Sequence, residues 1–127
     1  MEYIDSISEI KVEQLEGFFV GWKSPLTPER HFGLLQGSTH FIVAIDGNKA
    51  VGFITALTDG VNSSFIPLLE VLPEYQNHGI GSELFRQMLA KLENISNVDL
   101  ICDTDMQPFY ERFNMLRSSG MVLRKDL

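Results

Sequence analysis

The chain has 127 residues, of which 44% are hydrophobic and 21% charged. That is the usage of an ordinary globular domain and excludes a disordered chain. Ten Lys plus Arg against seventeen Asp plus Glu leave a net charge of −7, which argues against nucleic-acid binding, since that rests on basic surface. The single cysteine, Cys102, excludes an internal disulfide and a Cys-rich zinc site. One free thiol suits a reducing cytoplasm. Met1-Glu2-Tyr3-Ile4-Asp5 carries acid where a secretion signal needs base and an apolar run. Stretches such as Ile66-Pro67-Leu68-Leu69 fall far short of the ~20 residues of a membrane helix. The expectation is a cytoplasmic protein with no membrane association, residues 1–127 forming one domain.

Val12, Leu15, Phe18 and Phe19 recur at helical spacing and predict a helix from Val12 to Val20, broken by Gly21-Trp22-Lys23-Ser24-Pro25. Thr27-Pro28-Glu29-Arg30 reads as an N-cap with Pro at the first helical position, opening a helix that stops at Gly37. His40 to Asp46 and Lys49 to Thr58 are strand-like, joined by the hairpin signal Asp46-Gly47. Asp59-Gly60 marks another turn. Asn62 to Leu72 reads as a buried strand, and Pro67 inside it predicts a bulge or one unpaired side. Ile80, Leu84, Met88 and Leu92 share one helical face after Gly79. A short strand from Val98 to Cys102, a short helix from Pro108 to Phe113 with Asn114 as a left-handed cap, and one or two strands from Met115 to Arg124 complete the chain. The order predicts an α/β fold with a mixed, mostly antiparallel central sheet flanked by helices. Phe18, Phe19, Phe53, Phe65 and Phe85 read as core.

The informative stretch is Leu69-Glu70-Val71-Leu72-Pro73-Glu74-Tyr75-Gln76-Asn77-His78-Gly79-Ile80-Gly81-Ser82. A strand ends, a short loop follows and a helix begins at two glycines. The first turn of a helix has unpaired N–H groups and a partial positive charge, and glycines let an anion approach those amides. A dinucleotide fingerprint is excluded, because Leu84 stands at the third glycine position, and a Walker loop is excluded, because no Lys follows either glycine. Gln76-x-x-Gly79-x-Gly81 after Val71-Leu72-Pro73 resembles the phosphate loop of the Gcn5-related N-acetyltransferase family, and Phe109-Tyr110-Glu111-Arg112-Phe113-Asn114 is similar to that family's aromatic-Tyr-x-x-x-Gly segment.

The resemblance implies the acyl-CoA N-acyltransferase fold and acetyl-CoA as acetyl donor, with no metal. Backbone groups of Leu69 and Val71 would hold the pantetheine arm like an added strand, and the amides of Gln76, Asn77, His78, Gly79, Ile80, Gly81 and Ser82 the diphosphate. Amides on the bulged strand would polarise the thioester carbonyl. Tyr110 matches the general acid, protonating the departing thiolate, since a phenol near pKa ~10 and a thiol near ~8.5 are close in strength. The chain departs from the pattern where Asp103 stands for an Asn that contacts the cofactor in many members, and where Asn114 and Met115 stand for a Gly and a Phe. The general base is not carried over.

Glu70, a carboxylate in an apolar strand, must face a wet cleft or a partner and is the candidate base or amine anchor; the alternative is a structural carboxylate. Trp22 and Asp59 are candidates for the acceptor site, with a core indole and a plain turn residue as the competing readings. His31 and His40 show no metal-ligand arrangement, and Cys102 reads as a buried structural thiol. The expected activity is transfer of an acetyl group to a primary amine of a small molecule. The competing expectations are a non-catalytic acyl-CoA-binding domain and an acetyltransferase of proteins or aminoacyl-tRNA. The C-terminal segment after Gly120 leaves room for a homodimer.

Overall fold

The structure, a computed structural model, describes residues 1–125. Strand β1 (Glu2–Ile4) is followed by 3-10 turns at Ile7–Glu9 and Val12–Gln14, helix α1 (Pro28–Gly37), strands β2 (His40–Asp46), β3 (Lys49–Thr58) and β4 (Ser63–Val71), helix α2 (Ile80–Lys91), strand β5 (Asn97–Asp99) and helix α3 (Gln107–Glu111). The sheet runs β1-β2-β3-β4-β5 in chain order. Its first three pairings are antiparallel and β4–β5 is parallel. This is the mixed, mostly antiparallel sheet expected. Strand β1 is the element the sequence reading missed: three residues are too few to show alternation, and they pair only because β2 offers an edge.

Local chemistry explains the well-read elements. Thr27 Oγ1 accepts from Arg30 N at 3.2 Å and caps α1, with Pro28 at its first position. Gly47, at φ 64°, lets Asp46 and Lys49 pair across a two-residue turn. Strands β2 and β3 are buried on both faces, so they read as continuous apolar runs. On one face α2 presses Ile80, Leu84 and Met88 onto Ile42, Ala44, Val51, Ile54 and Ile66. On the other, Leu35 of α1 and the N-terminal residues Ile10, Leu15, Phe18 and Phe19 cover Phe41, Val43, Ile45 and Phe53.

Four expectations are corrected. Val12 to Val20 is no helix: after the turn at Val12–Gln14, Gly17 and Phe19 take φ of 91° and 64°, and the apolar spacing serves an irregular segment laid on the sheet. Strand β5 stops at Asp99 instead of Cys102. Met115 to Arg124 forms no strand; with β5 only three residues long, there is little edge on which to build a ladder. Phe65 keeps 36% of its surface exposed, because β4 alternates and its odd residues there face outward.

His31, on α1, is fully buried, and neither ring nitrogen has a hydrogen-bond partner among the described residues. Its ring lies 4.3 Å from that of Phe53, 4.9 Å from Phe19 and 5.2 Å from Phe18. Burial pushes its pKa from 6.5 down to about 4. The neutral imidazole is the folded form, so stability is complete above pH 6.5 and is lost as pH falls toward 4, where the unfolded chain takes up a proton that the folded chain refuses. By pH 5 the loss should reach about 2 kcal/mol. Urea midpoints measured between pH 7 and pH 5 should fall in the wild type and stay flatter in His31→Phe; equal slopes would refute the assignment.

Candidate active site

The site begins where β4 and β5 part. They pair at Ser63↔Asn97, Ser64↔Val98 and Phe65↔Asp99, pinned by Ser64 Oγ donating to the Asn97 carbonyl at 2.8 Å. From Ile66 to Val71, β4 is bonded to β3 alone. Between Thr55↔Leu68 and Leu57↔Phe65 the register shifts, β4 carrying one residue more than β3. Pro67, which has no N–H to give a ladder, lies in that bulge, as its position in the sequence implies. Leu72 N donates to the Val51 carbonyl at 2.9 Å. By alternation along the strand, Leu69 and Val71 turn their backbone groups to the unpaired edge. The Val71 carbonyl there accepts from Gln76 Nε2 at 2.9 Å.

The loop after β4 reverses through Asn77 (φ 65°) and Gly79 (φ 84°). The first helical bond of α2 runs from Glu83 N to the Gly79 carbonyl at 3.0 Å, and no side chain caps the start. The amides of Ile80, Gly81 and Ser82 therefore lack helical partners. A Cβ at Gly79 would meet nothing within 4 Å, whereas one at Gly81 would stand 3.7 Å from Val71 Cγ2 and 3.9 Å from the Phe109 ring. Gly81 thus lies close to both β4 and α3, while the space at Gly79 is open. The exposed His78 ring turns its Nδ1 to the Tyr75 carbonyl at 3.2 Å. Gly52 on β3 lets α2 sit this low: a Cβ there would be 3.1 Å from Leu84 Cδ1 and 3.3 Å from Ile80 Cγ2.

Helix α3 brings Tyr110 against α2, its ring 5.2 Å from Phe85 and 4.9 Å from Phe109. Asn114 ends this segment at φ 66°, the left-handed cap read from the sequence. Burial first, and the neighbouring Cys102 second, push the Tyr110 phenol up to about 12, so it keeps its proton at neutral pH. Burial and the charges of Asp103 and Asp105 likewise raise the Cys102 thiol, which disfavours the thiolate a nucleophile needs.

Glu70 reaches from β4 to the N-terminal segment. Both carboxylate oxygens accept from Phe19 N at 2.9 Å, and Oε2 also accepts from Val20 N at 3.3 Å. This is the partner that burial of a carboxylate demands, and it accounts for the left-handed Phe19. Trp22 packs edge-on to Phe19, centroids 4.9 Å apart, with 46% of its surface exposed. The Glu70 clamp therefore also sets where the indole stands. Asp59 is a turn residue: its Oδ1 accepts from the amides of Val61, Asn62 and Ser63 at 2.8, 2.8 and 3.2 Å, which hold its carboxyl below the usual range. It lines an open depression of about 440 Å³ with Leu57, Phe65 and Asp99, at the end of β4 away from the loop. Val71 thus adjoins Gln76 and Gly81, Glu70 turns away to Phe19 with Trp22 packed beyond it, and Asp59 stands apart.

A mixed sheet whose parallel pair separates beside a glycine-started helix is the acyl-CoA N-acyltransferase architecture. The chain matches the sequence model of the Acetyltransferase (GNAT) family over residues 6–115. A solved structure described as an acetyltransferase from Deinococcus radiodurans R1 is similar with a TM-score of 0.95 at 39% identity, covering 98% of this chain and 87% of that one. A GNAT-family acetyltransferase from Streptococcus pneumoniae gives a TM-score of 0.79 at 27% identity, covering 99% and 98%. An uncharacterized N-acetyltransferase, ycf52, of Pyropia yezoensis is 29% identical over 94% of this chain and 73% of its own length. The chain belongs to the GNAT acetyltransferase family.

Removing the carboxylate in Glu70→Ala orphans the Phe19 and Val20 amides, at a cost of about 1–3 kcal/mol. Glu70→Gln keeps one acceptor oxygen and should lose less. Urea unfolding measures the cost, and limited proteolysis should cut the alanine variant faster around Gly17 to Gly21. Unchanged stability and cleavage would show that the clamp holds nothing.

Proposed function

We propose that the protein is an N-acetyltransferase that moves the acetyl group of acetyl-CoA to the primary amine of a small molecule. One observation carries this reading: the edge of β4 from Ile66 to Val71, unpaired by any strand, ends beside Gly81 in the open first turn of α2. Family membership adds support. The residues fit such a donor. Leu69 and Val71 offer an amide and carbonyl edge to an extended pantetheine arm; Gln76 must give up its bond to the Val71 carbonyl to free that acceptor. The amides of Ile80, Gly81 and Ser82 suit a diphosphate, and the glycines leave room for it.

Bound acetyl-CoA supplies an activated acyl thioester. Tyr110 holds a proton on its Oη for a departing sulfur; burial, by raising the phenol to about 12, keeps it neutral at the cost of acid strength, so its match to a thiol is poorer than that of the free side chains. Glu70 faces the N-terminal side, opposite Leu69 and Val71, where an acceptor amine would approach. With its oxygens engaged by two amides, its best role is to hold Trp22 in place for stacking on the acceptor. Asp59, in its separate depression with Asp99, takes no part in this reading.

A free-thiol assay across a panel of small amines should show turnover in the wild type. In Tyr110→Phe the rate should fall about 100-fold or more, the range of a lost general acid, while CoA still raises the melting temperature. Because burial pushes the Tyr110 phenol up to about 12, the rate should rise as the amine deprotonates and show no alkaline fall up to about pH 10. No thermal shift with CoA would sink the donor assignment, and an unimpaired phenylalanine variant would sink the role of Tyr110.

A further inference from the structure

Arg112, at the end of α3, is a cation that the fold carries to the first turn of α2. Its Nη2 donates to Ser82 Oγ at 2.9 Å, and its Nε makes a long contact of 3.4 Å to the Phe109 carbonyl. The guanidinium carbon lies 4.9 Å from the Phe109 ring centroid and 5.9 Å from that of Phe113. An exposed arginine is usually mobile, but two rings and a hydroxyl hold this one over a defined spot. Among the described residues nothing accepts from Nη1 or from the second Nη2 hydrogen, the fork geometry that matches a phosphate.

The loop from Glu74 to Ser82 contains neither Lys nor Arg. Its Gln76 side chain is turned to the Val71 carbonyl, and its His78 ring to the Tyr75 carbonyl. In a chain of net charge −7, a diphosphate resting there on backbone amides alone would have no full counter-charge. We infer that Arg112, presented by Ser82, is the side chain that binds the diphosphate of the donor. The inference rests on the reading that the donor is a CoA thioester.

Calorimetric titration of wild type, Arg112→Ala and Arg112→Lys with CoA, dephospho-CoA and pantetheine tests it, with melting temperatures verifying the fold of each variant. Arg112→Ala should weaken CoA and dephospho-CoA alike by about 10- to 100-fold, the worth of one or two charge-assisted hydrogen bonds, and should leave pantetheine unaffected. Arg112→Lys should fall between, keeping the charge and losing the fork. In steady-state assays the KM for acetyl-CoA should rise far more than kcat falls. Equal CoA affinity in wild type and Arg112→Ala overturns the inference, as does a loss seen with CoA and absent with dephospho-CoA, which would assign Arg112 to the 3′-phosphate. Failure of the wild type itself to bind CoA would instead overturn the donor reading on which the inference rests.

Discussion

The architecture turns on a parallel strand pair that stops after three residues. Pairing of β4 with β5 ends at Phe65 and Asp99, while β4 continues for six residues bonded on one side only. An unpaired strand edge is normally a liability that a protein covers or twists away. Here the bulge around Pro67 bends β4, and the unpaired edge points toward α2 and α3, beside Gly81 and Phe109. The same edge brings Val71 next to Gly81 in the first turn of α2, so two kinds of unmet hydrogen-bonding capacity adjoin.

Helix α2 can begin there because it is held low on the sheet. Ile80 and Leu84 lie close above Gly52, and Phe85 is wedged among Phe109, Tyr110 and Phe113 of the α3 segment. Packing density transmits position: a helix anchored on both sides presents its first turn rigidly. That aromatic cluster does three things at once. It seats α3, lifts the Tyr110 phenol toward the strongly protonated range, and supplies the ring on which Arg112 rests.

The opposite face is organised by a charge. The Glu70 carboxylate binds the Phe19 and Val20 amides, joining residues 51 positions apart in the chain. Hydrogen bonds to an ionised acceptor are about twice as strong as neutral ones. They hold an irregular segment with little regular structure of its own and place Trp22 at its rim. His31 sits beneath the same segment with both ring nitrogens unpartnered among the described residues, a cost the aromatic packing around it must offset.

Elements whose signals are local were legible in the amino-acid order. The Thr27 cap, the Asp46–Lys49 turn, the face of α2, the bulge at Pro67 and the left-handed Asn114 all follow from steric and hydrogen-bonding rules that act over a few residues. The glycine pattern from Gln76 to Ser82 was legible for the same reason. Tertiary structure alone decided the rest. The helical spacing of Val12 to Phe19 was overruled because a carboxylate on β4 captures the Phe19 amide. The strands expected from Met115 to Arg124 did not form beside so short a β5. The roles of Glu70 and Arg112 depend on amides and a hydroxyl brought from 51 and 30 positions away. Residues so far apart meet only through the path of the folded chain, and no periodicity along the sequence encodes that meeting.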